Sequence, residues 1–292
     1  MNIGILVIGF MRPKHLGSVL ESLKLQNLLG RTHVWIDGQA GRSEFTALNK
    51  ETVKVAQSYA VKDLHVHNGH YGIEKIMLDA LKILSETYDA FIVLEDDCFP
   101  LKGFFDVFES ALKEIKGRDD IFSVYGHHFK VPDEGKTFSR FQGWGWATTS
   151  AKMKTLLPEM DRLFMLPEQK YLDHIEKSLT SDVRAALDKT PGRDVLKTMQ
   201  FMFSWDSCLS LLCAQRGLLH RKTQPQSIVS MGVDKFSGHF NDNINRYRLP
   251  PFNMVSSSEV WDLYETGMKG YSPRTRPVVL ELIDKVKARM KL

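Results

Sequence analysis

The chain has 292 residues, 43% of them apolar and 25% charged, with a formal net charge of +4. These are the proportions of an ordinary globular protein, which excludes wholesale disorder and fibrous repeats, and the length fits one large α/β domain or two small ones. Arg274, Arg276, Lys285, Lys287, Arg289 and Lys291 outweigh Glu281 and Asp284 and carry the whole charge excess, so the remainder is neutral and broad nucleic-acid binding has no electrostatic basis.

The first predicted element is a buried strand over Ile3 to Gly9. It lacks a basic flank and is too short to cross a bilayer, and no later run reaches the roughly 18 apolar residues of a membrane span. Cys98, Cys208 and Cys213 cannot all pair and lack C-x-x-C spacing, so a reducing, cytoplasmic setting is expected. Further strands are predicted at His33 to Ile36, Leu64 to His67 and Phe91 to Leu94. The helical face Leu16, Val19, Leu20 and Leu23 falls between the first two, and Ile73, Ile76, Met77, Ala80, Leu81 and Leu84 before the last. Strand and helix in alternation predict a parallel sheet wound with helices.

A helix follows over Phe104 to Ile115, then a strand at Ile121 to Tyr125. From Trp144 to about Thr198 the period turns helical, punctuated by Pro158, Pro167 and Pro191. The charged run Glu168 to Arg193 predicts exposed helices around an acceptor. Residues 224–245, rich in Gly, Ser and Asn, predict a long loop of the kind that is often functional. Gly9 to Gly17 is neither a G-x-G-x-x-G nor a Walker loop, so any nucleotide must be held in another way.

The segment Phe91-Ile-Val-Leu-Glu-Asp-Asp97 runs an apolar strand directly into three carboxylates. In an open α/β sheet, ligands lie beyond the carboxyl ends of the strands. Adjacent anions repel one another, and manganese or magnesium relieves that repulsion while keeping positions open for substrate phosphates. A solvated acidic turn is the plainer alternative.

A strand ending in Glu-Asp-Asp resembles the DxD-type metal motif of the GT-A glycosyltransferases, in the variant of the N-acetylglucosaminyltransferase I family. The resemblance in order and spacing runs from about Ile3 to Asn241. It implies the GT-A fold of nucleotide-diphospho-sugar transferases, an α/β fold with a mainly parallel central sheet flanked by helices. It also implies Asp97 as the metal ligand, Asp96 at the ribose and Glu95 at the donor sugar. Arg12 matches a basic residue near the donor phosphates, where a guanidinium pairs with an anion bidentately; its plainer reading is a surface cation. Asp37 matches an acid that accepts from uracil, and is otherwise a turn carboxylate. Tyr71 and Lys75 fall by the helix that lines the nucleotide pocket, although the family's histidine there is replaced by Ile76.

Phe141-Gln-Gly-Trp-Gly-Trp146 sets indoles among glycines, as in bacterial sugar transferases just before the acceptor subdomain. Trp146 is expected either against the donor or in the core. Ser204-Trp-Asp206 precedes an apolar helix at Cys208 to Ala214 and matches the family's Trp-Asp element, which implies donor contact for Trp205 and the catalytic base for Asp206; helix capping is the alternative. Met231 to Phe240 resembles a loop that folds over the donor, with Lys235, Ser237 or His239 reaching the diphosphate. His65, His67, His127 and His128 lack helical metal spacing and are expected to be structural.

The implied activity is inverting transfer of a sugar from a nucleoside-diphosphate donor, a UDP-sugar such as UDP-GlcNAc, to a hydroxyl of a glycan or lipid-linked glycan, as in bacterial polysaccharide biosynthesis. A sugar-nucleotide nucleotidyltransferase and a non-catalytic nucleotide-sugar binder are the alternatives. The expected organisation is a domain over 1–255, divided at 97, with a lid at 230–245, and a basic helical tail over 256–292. The tail's apolar stripe at Val278, Val279, Leu282, Ile283 and Val286 either packs on the domain or docks at the inner face of the plasma membrane.

Overall fold

The computed structural model of the chain describes residues 1–39, 41, 43–129, 137–187, 204–233, 244–250 and 252–272. In chain order they form β1 (Ile3–Gly9), α1 (Pro13–Leu25), β2 (Thr32–Ile36), α2 (Ser43–Gln57), β3 (Asp63–Val66), α3 (Ile73–Thr87) and β4 (Ala90–Glu95). These are followed by β5 (Cys98–Pro100), α4 (Phe104–Ile115), β6 (Ile121–Tyr125), β7 (Thr137–Phe138), β8 (Trp146–Thr149), α5 (Ser150–Phe164), α6 (Glu168–Ser178) and α7 (Ser181–Leu187). The last are α8 (Trp205–Gln215), β9 (Leu219–Lys222), β10 (Ile228–Ser230) and α9 (Ile244–Arg248).

Eight strands make one sheet in the order β3-β2-β1-β4-β8-β6-β9-β7. β1, β2, β3 and β4 pair in parallel, β8 runs antiparallel between β4 and β6, and β9 returns parallel to β6. The class is therefore α/β with a mainly parallel sheet, as the sequence predicts. Along β1, Ile5 and Val7 enter the core layer shared with α1 and α4, while Leu6 and Ile8 enter the layer shared with α3, α5 and α8. This two-sided burial explains why β1 and β4 read as unbroken apolar runs. Each such side chain contributes about 1.5–3 kcal/mol relative to exposure, so the strands carrying the site are among the most firmly held.

The second half departs from its reading in several places. Trp146–Thr149 is a strand, not helix, because it is the antiparallel partner of Val93 to Ala90. Pro158 lies inside α5 and does not end it, giving up one helical hydrogen bond. Within the predicted loop, Ile228–Ser230 pairs with β5 and α9 begins at Ile244. The charged helices α6 and α7 are not merely exposed, since Tyr171, Ile175, Val183 and Leu187 enter the core. Residues 256–272, assigned to the tail, pack on the α1 layer through Val260 and Leu263. The basic stretch 273–292 lies outside the described residues. Among the described residues no helix is long and apolar enough to cross a membrane.

Candidate active site at the carboxyl edge of the sheet

Parallel pairing of β1 with β4 sets Ile8 opposite Glu95, so the segment after β1 lies beside the acids after β4. Pro13 opens α1 and Arg12 occupies its N-cap, with the φ of the first helical residue preset by the proline ring. Arg12 Nη1 donates to Asp97 Oδ2 at 2.8 Å, and Nη2 donates to Asp96 Oδ1. Two of the three acids predicted to handle donor and metal are thus clamped by the basic residue predicted to handle phosphate. Burial opposes the charge of Arg12, yet Asp96 and Asp97 together outweigh it and raise its pKa.

The carboxylates remain under-compensated. Burial, then repulsion from Asp97, pushes the Glu95 carboxyl well above the usual range, against the pull of Arg12. Burial also raises Asp96 in spite of its guanidinium partner. One guanidinium serves three carboxyl groups, and a buried negative charge left without full compensation is the setting a divalent cation would relieve.

Asp206 is close enough for its charge to raise Glu95 further. It sits in the first turn of α8, whose N-cap Ser204 accepts from the Ser207 N–H at 3.3 Å. Tyr171 Oη from α6 donates to the Ser204 carbonyl at 3.3 Å and fixes that turn. Asp206 Oδ1 accepts from Ser204 Oγ at 2.8 Å and from Ser207 N–H at 2.9 Å; among the described residues Oδ2 has no partner. Capping and a role as base are therefore compatible, because they use different oxygens.

Glu74, in the first turn of α3, was not singled out from sequence. Burial raises its carboxyl pKa, and Asp206 and Asp37 add to the rise, so it lies within electrostatic reach of both. The signal was present as an acid just after Gly72, the N-cap of α3, but an acid in a first turn is so common that nothing marked it.

The Asp37 carboxylate is fully engaged. It accepts from the backbone N–H groups of Gly38, Tyr71 and Gly72 at 2.8, 2.7 and 3.1 Å, and pairs with His70 Nδ1 at 2.7 Å. Through these contacts Asp37 organises 69–72, and a uracil N–H would have to displace one of its present donors. A Cβ at Gly38 would collide with the Gly69 carbonyl, which explains glycine after Asp37. Asn49 Nδ2, also missed from sequence, donates to the carbonyls of Phe10 and Asp37 at 2.7 and 2.8 Å and ties the loops after β1 and β2 together. Tyr71 is exposed, stacks on His67 with ring centres 4.7 Å apart, and has Lys75 Nζ 5.6 Å above its ring. Ile76, at the family's histidine position, is fully buried in the core.

The indoles are core residues. Trp146 is 0% and Trp205 4% exposed, and they stack with centres 6.2 Å apart while Phe141 meets Trp146 edge-on at 4.9 Å. Both rings, from β8 and α8, pack into the core layer shared with α3 and α5. Gly145, at φ +67°, lies where a Cβ would press on Ile228 at 2.8 Å, so this glycine serves packing and not ligand approach.

The described base of the expected lid is anchored at the site. The Met231 N–H donates to the Asp97 carbonyl at 2.8 Å, and His15 Nε2 lies 3.2 Å from the Met231 carbonyl. Lys235, Ser237 and His239 lie outside the described residues. Among the described residues no three His, Cys, Asp or Glu side chains form a complete metal cage. A cation shared with substrate phosphates needs only one or two protein carboxylates, and Asp97, 13% exposed at its side chain, is open enough to serve.

No protein-family model matches the chain, and no curated protein matches it. Solved structures overlap it in outline. S. aureus TarS 1-349 aligns at 12% identity over 78% of this chain and 60% of that one, with a TM-score of 0.44. The mannosyltransferase PcManGT from Pyrobaculum calidifontis, in complex with GDP-Man and Mn2+, aligns at 11% over 73% of each chain, TM-score 0.40. Mouse xyloside xylosyltransferase 1 aligns at 9% over 75% of this chain and 84% of that one, TM-score 0.39. At these values the chain is similar to each in outline, and the overlap assigns neither family nor activity.

Proposed function

We propose that the chain is a GT-A glycosyltransferase that moves a sugar from a nucleoside-diphosphate donor, a UDP-sugar by sequence resemblance, to a hydroxyl of a glycan or lipid-linked glycan. The observation that carries this reading is the convergence of Glu95, Asp96, Asp97, Arg12 and Asp206 at the carboxyl edge of β1 and β4. Asp97 is the residue to hold manganese or magnesium, which when bound would offset charge growing on the leaving diphosphate. Arg12, freed in part from the acids by that charge, pairs with a phosphate oxygen. Asp96 and Glu95 orient ribose and sugar through hydrogen bonds, and Tyr71 and Lys75 flank the base. Asp206 Oδ2 takes the acceptor proton as the new bond forms. One base without a covalent intermediate gives inversion at the anomeric carbon. Lys235, Ser237 and His239 follow the anchored Met231 and are assigned to closing over the diphosphate.

Incubation with a panel of UDP- and GDP-sugars, with and without manganese, tests this by release of nucleoside diphosphate. Metal-stimulated hydrolysis of at least one donor is expected. Pyrophosphate release from a nucleoside triphosphate and a sugar phosphate, with no donor hydrolysis, would replace the proposal with nucleotidyl transfer. Donor binding without turnover would make the protein a binder.

A further inference from the structure

A hollow of about 550 Å³ lies between α1, at Lys14, Ser18 and Glu21, and residues 257–261, which reach into the short 3-10 turn Val260–Leu263. Trp261 is its one aromatic lining residue. Of the five tryptophans in the chain, Trp35, Trp146 and Trp205 are buried and Trp144 is partly buried, whereas Trp261 is 38% exposed. The exposed ring is nonetheless fixed in place. Phe99 meets it edge-on with centres 5.0 Å apart, and Tyr264 supports it at 5.5 Å. An indole held rigidly by two aromatic neighbours and left open on its remaining side is a preformed platform, with little side-chain entropy left to lose on binding.

The rim is polar and balanced in charge. Lys14, Ser18, Glu21 and Ser258 surround the indole, and apart from Trp261 no large apolar side chain lines the hollow. Glu21 is held in position by Tyr59 Oη at 3.1 Å and Lys24 Nζ at 3.3 Å. The lining itself carries one cation, Lys14, and one anion, Glu21, which Lys24 pairs from outside the lining; this concentrates too little charge to select a phosphate or a basic peptide, and a single ring gives no wall for a lipid chain or amphipathic helix. The complement is a neutral ligand with one flat C–H face and a border of hydroxyl groups. Partially positive C–H groups pack on the negative face of the indole, while hydroxyls donate to Glu21 and accept from Lys14. The volume is within the range of about 300–1,000 Å³ usual for small-molecule sites.

We infer that the Trp261 hollow is a saccharide-binding subsite, separate from the acid cluster, which holds a pyranose unit of an extended glycan. Phe99 lies in β5, two residues after Asp97, and β5 pairs with β10 at the foot of the Met231 segment, so platform and acids belong to one rigid unit. A glycan held on Trp261 is thereby kept near the catalytic edge, a role that rests on the transfer reading. The binding itself does not.

The test requires neither donor nor metal, so it succeeds or fails independently of the glycosyltransferase proposal. The full chain is labelled with 5-fluorotryptophan and titrated with N,N′-diacetylchitobiose, maltotriose and cellotriose while the fluorine resonances are followed, Trp261 being assigned by its loss in Trp261→Phe. A saturable shift of the Trp261 resonance by at least one saccharide is expected, with Kd on the order of 1 mM. Calorimetry with Trp261→Ala should show affinity for that saccharide reduced about tenfold or more. A Trp261 resonance unmoved by every member of the panel, or shifts confined to the other tryptophans, overturns the inference. Undiminished affinity in a folded Trp261→Ala protein does so as well.

Discussion

Two groups of buried titratable side chains on this sheet have met burial in opposite ways. Around β4, Glu95, Asp96 and Asp97 share one guanidinium and stay electrostatically unsatisfied. Around β6 and β9, burial depresses His127 and His128 to about 4 and His220 to about 3, so all three are neutral at ordinary pH. His127 shows why that costs little. Its Nδ1 accepts from the Ser230 N–H at 3.1 Å and its Nε2 faces the Phe252 carbonyl at 2.8 Å, which fixes one neutral tautomer and joins β10 to the 252–255 segment. A group that gives up its charge and keeps its hydrogen bonds becomes packing; several acids sharing one cation make a candidate ligand site. The difference separates site from scaffold where residue type alone does not.

Breaking the acidic side should have the largest effect. Asp97→Ala should lower metal-stimulated donor turnover by about 10³-fold or more, whereas Asp206→Ala should lower transfer by about 10²–10⁴-fold and leave donor affinity within about threefold. Donor calorimetry with and without manganese, beside turnover assays, reads both. Unchanged turnover in Asp206→Ala removes it as the base.

The next test is stability. Arg12→Met leaves Asp96 and Asp97 buried without their cation and should cost about 3 kcal/mol, measured as a lower urea midpoint at unchanged slope. No loss would mean that solvent already satisfies the acids, and the contrast between the two clusters would collapse.

The smallest effects are in pH dependence, and the two clusters should differ in sign. The native pKa of Glu95 is raised, so its contribution to stability is present below the unfolded value of 4.5 and is lost as pH rises through the folded one. Glu95→Gln should therefore raise the melting temperature at about pH 8 by a few degrees, with the gain fading toward pH 4.5. The histidines run the other way. Their native pKa values lie below 6.5, so stability is whole above that pH and declines as pH falls toward about 4. His127→Gln should flatten that acid limb in thermal scans, though its lost hydrogen bonds lower the whole curve.

Much of the first 125 residues was legible in the sequence. Phe104–Ile115 and Ile121–Tyr125 fall where the periodicity places them, and β1, β2, β3 and β4 lie within a residue of their predicted bounds. Local period and the burial of both sheet faces dictate these elements. The acids were legible for the same reason: three carboxylates at the end of an apolar run are conspicuous in one dimension.

What only the tertiary structure decided is which partner each polar or aromatic group meets. Asp37 is engaged by backbone donors from 69–72, a segment more than thirty residues away that sheet pairing brings to it. Trp146 and Trp205 became core because β8 inserts antiparallel between β4 and β6, a crossing to which hydrophobic period is blind. Glu74 joins Asp206 only because α3 and α8 pack with their first turns at one edge. Period along a chain fixes which face a side chain takes; long-range packing fixes what lies opposite, and the chemistry of a site depends on the second.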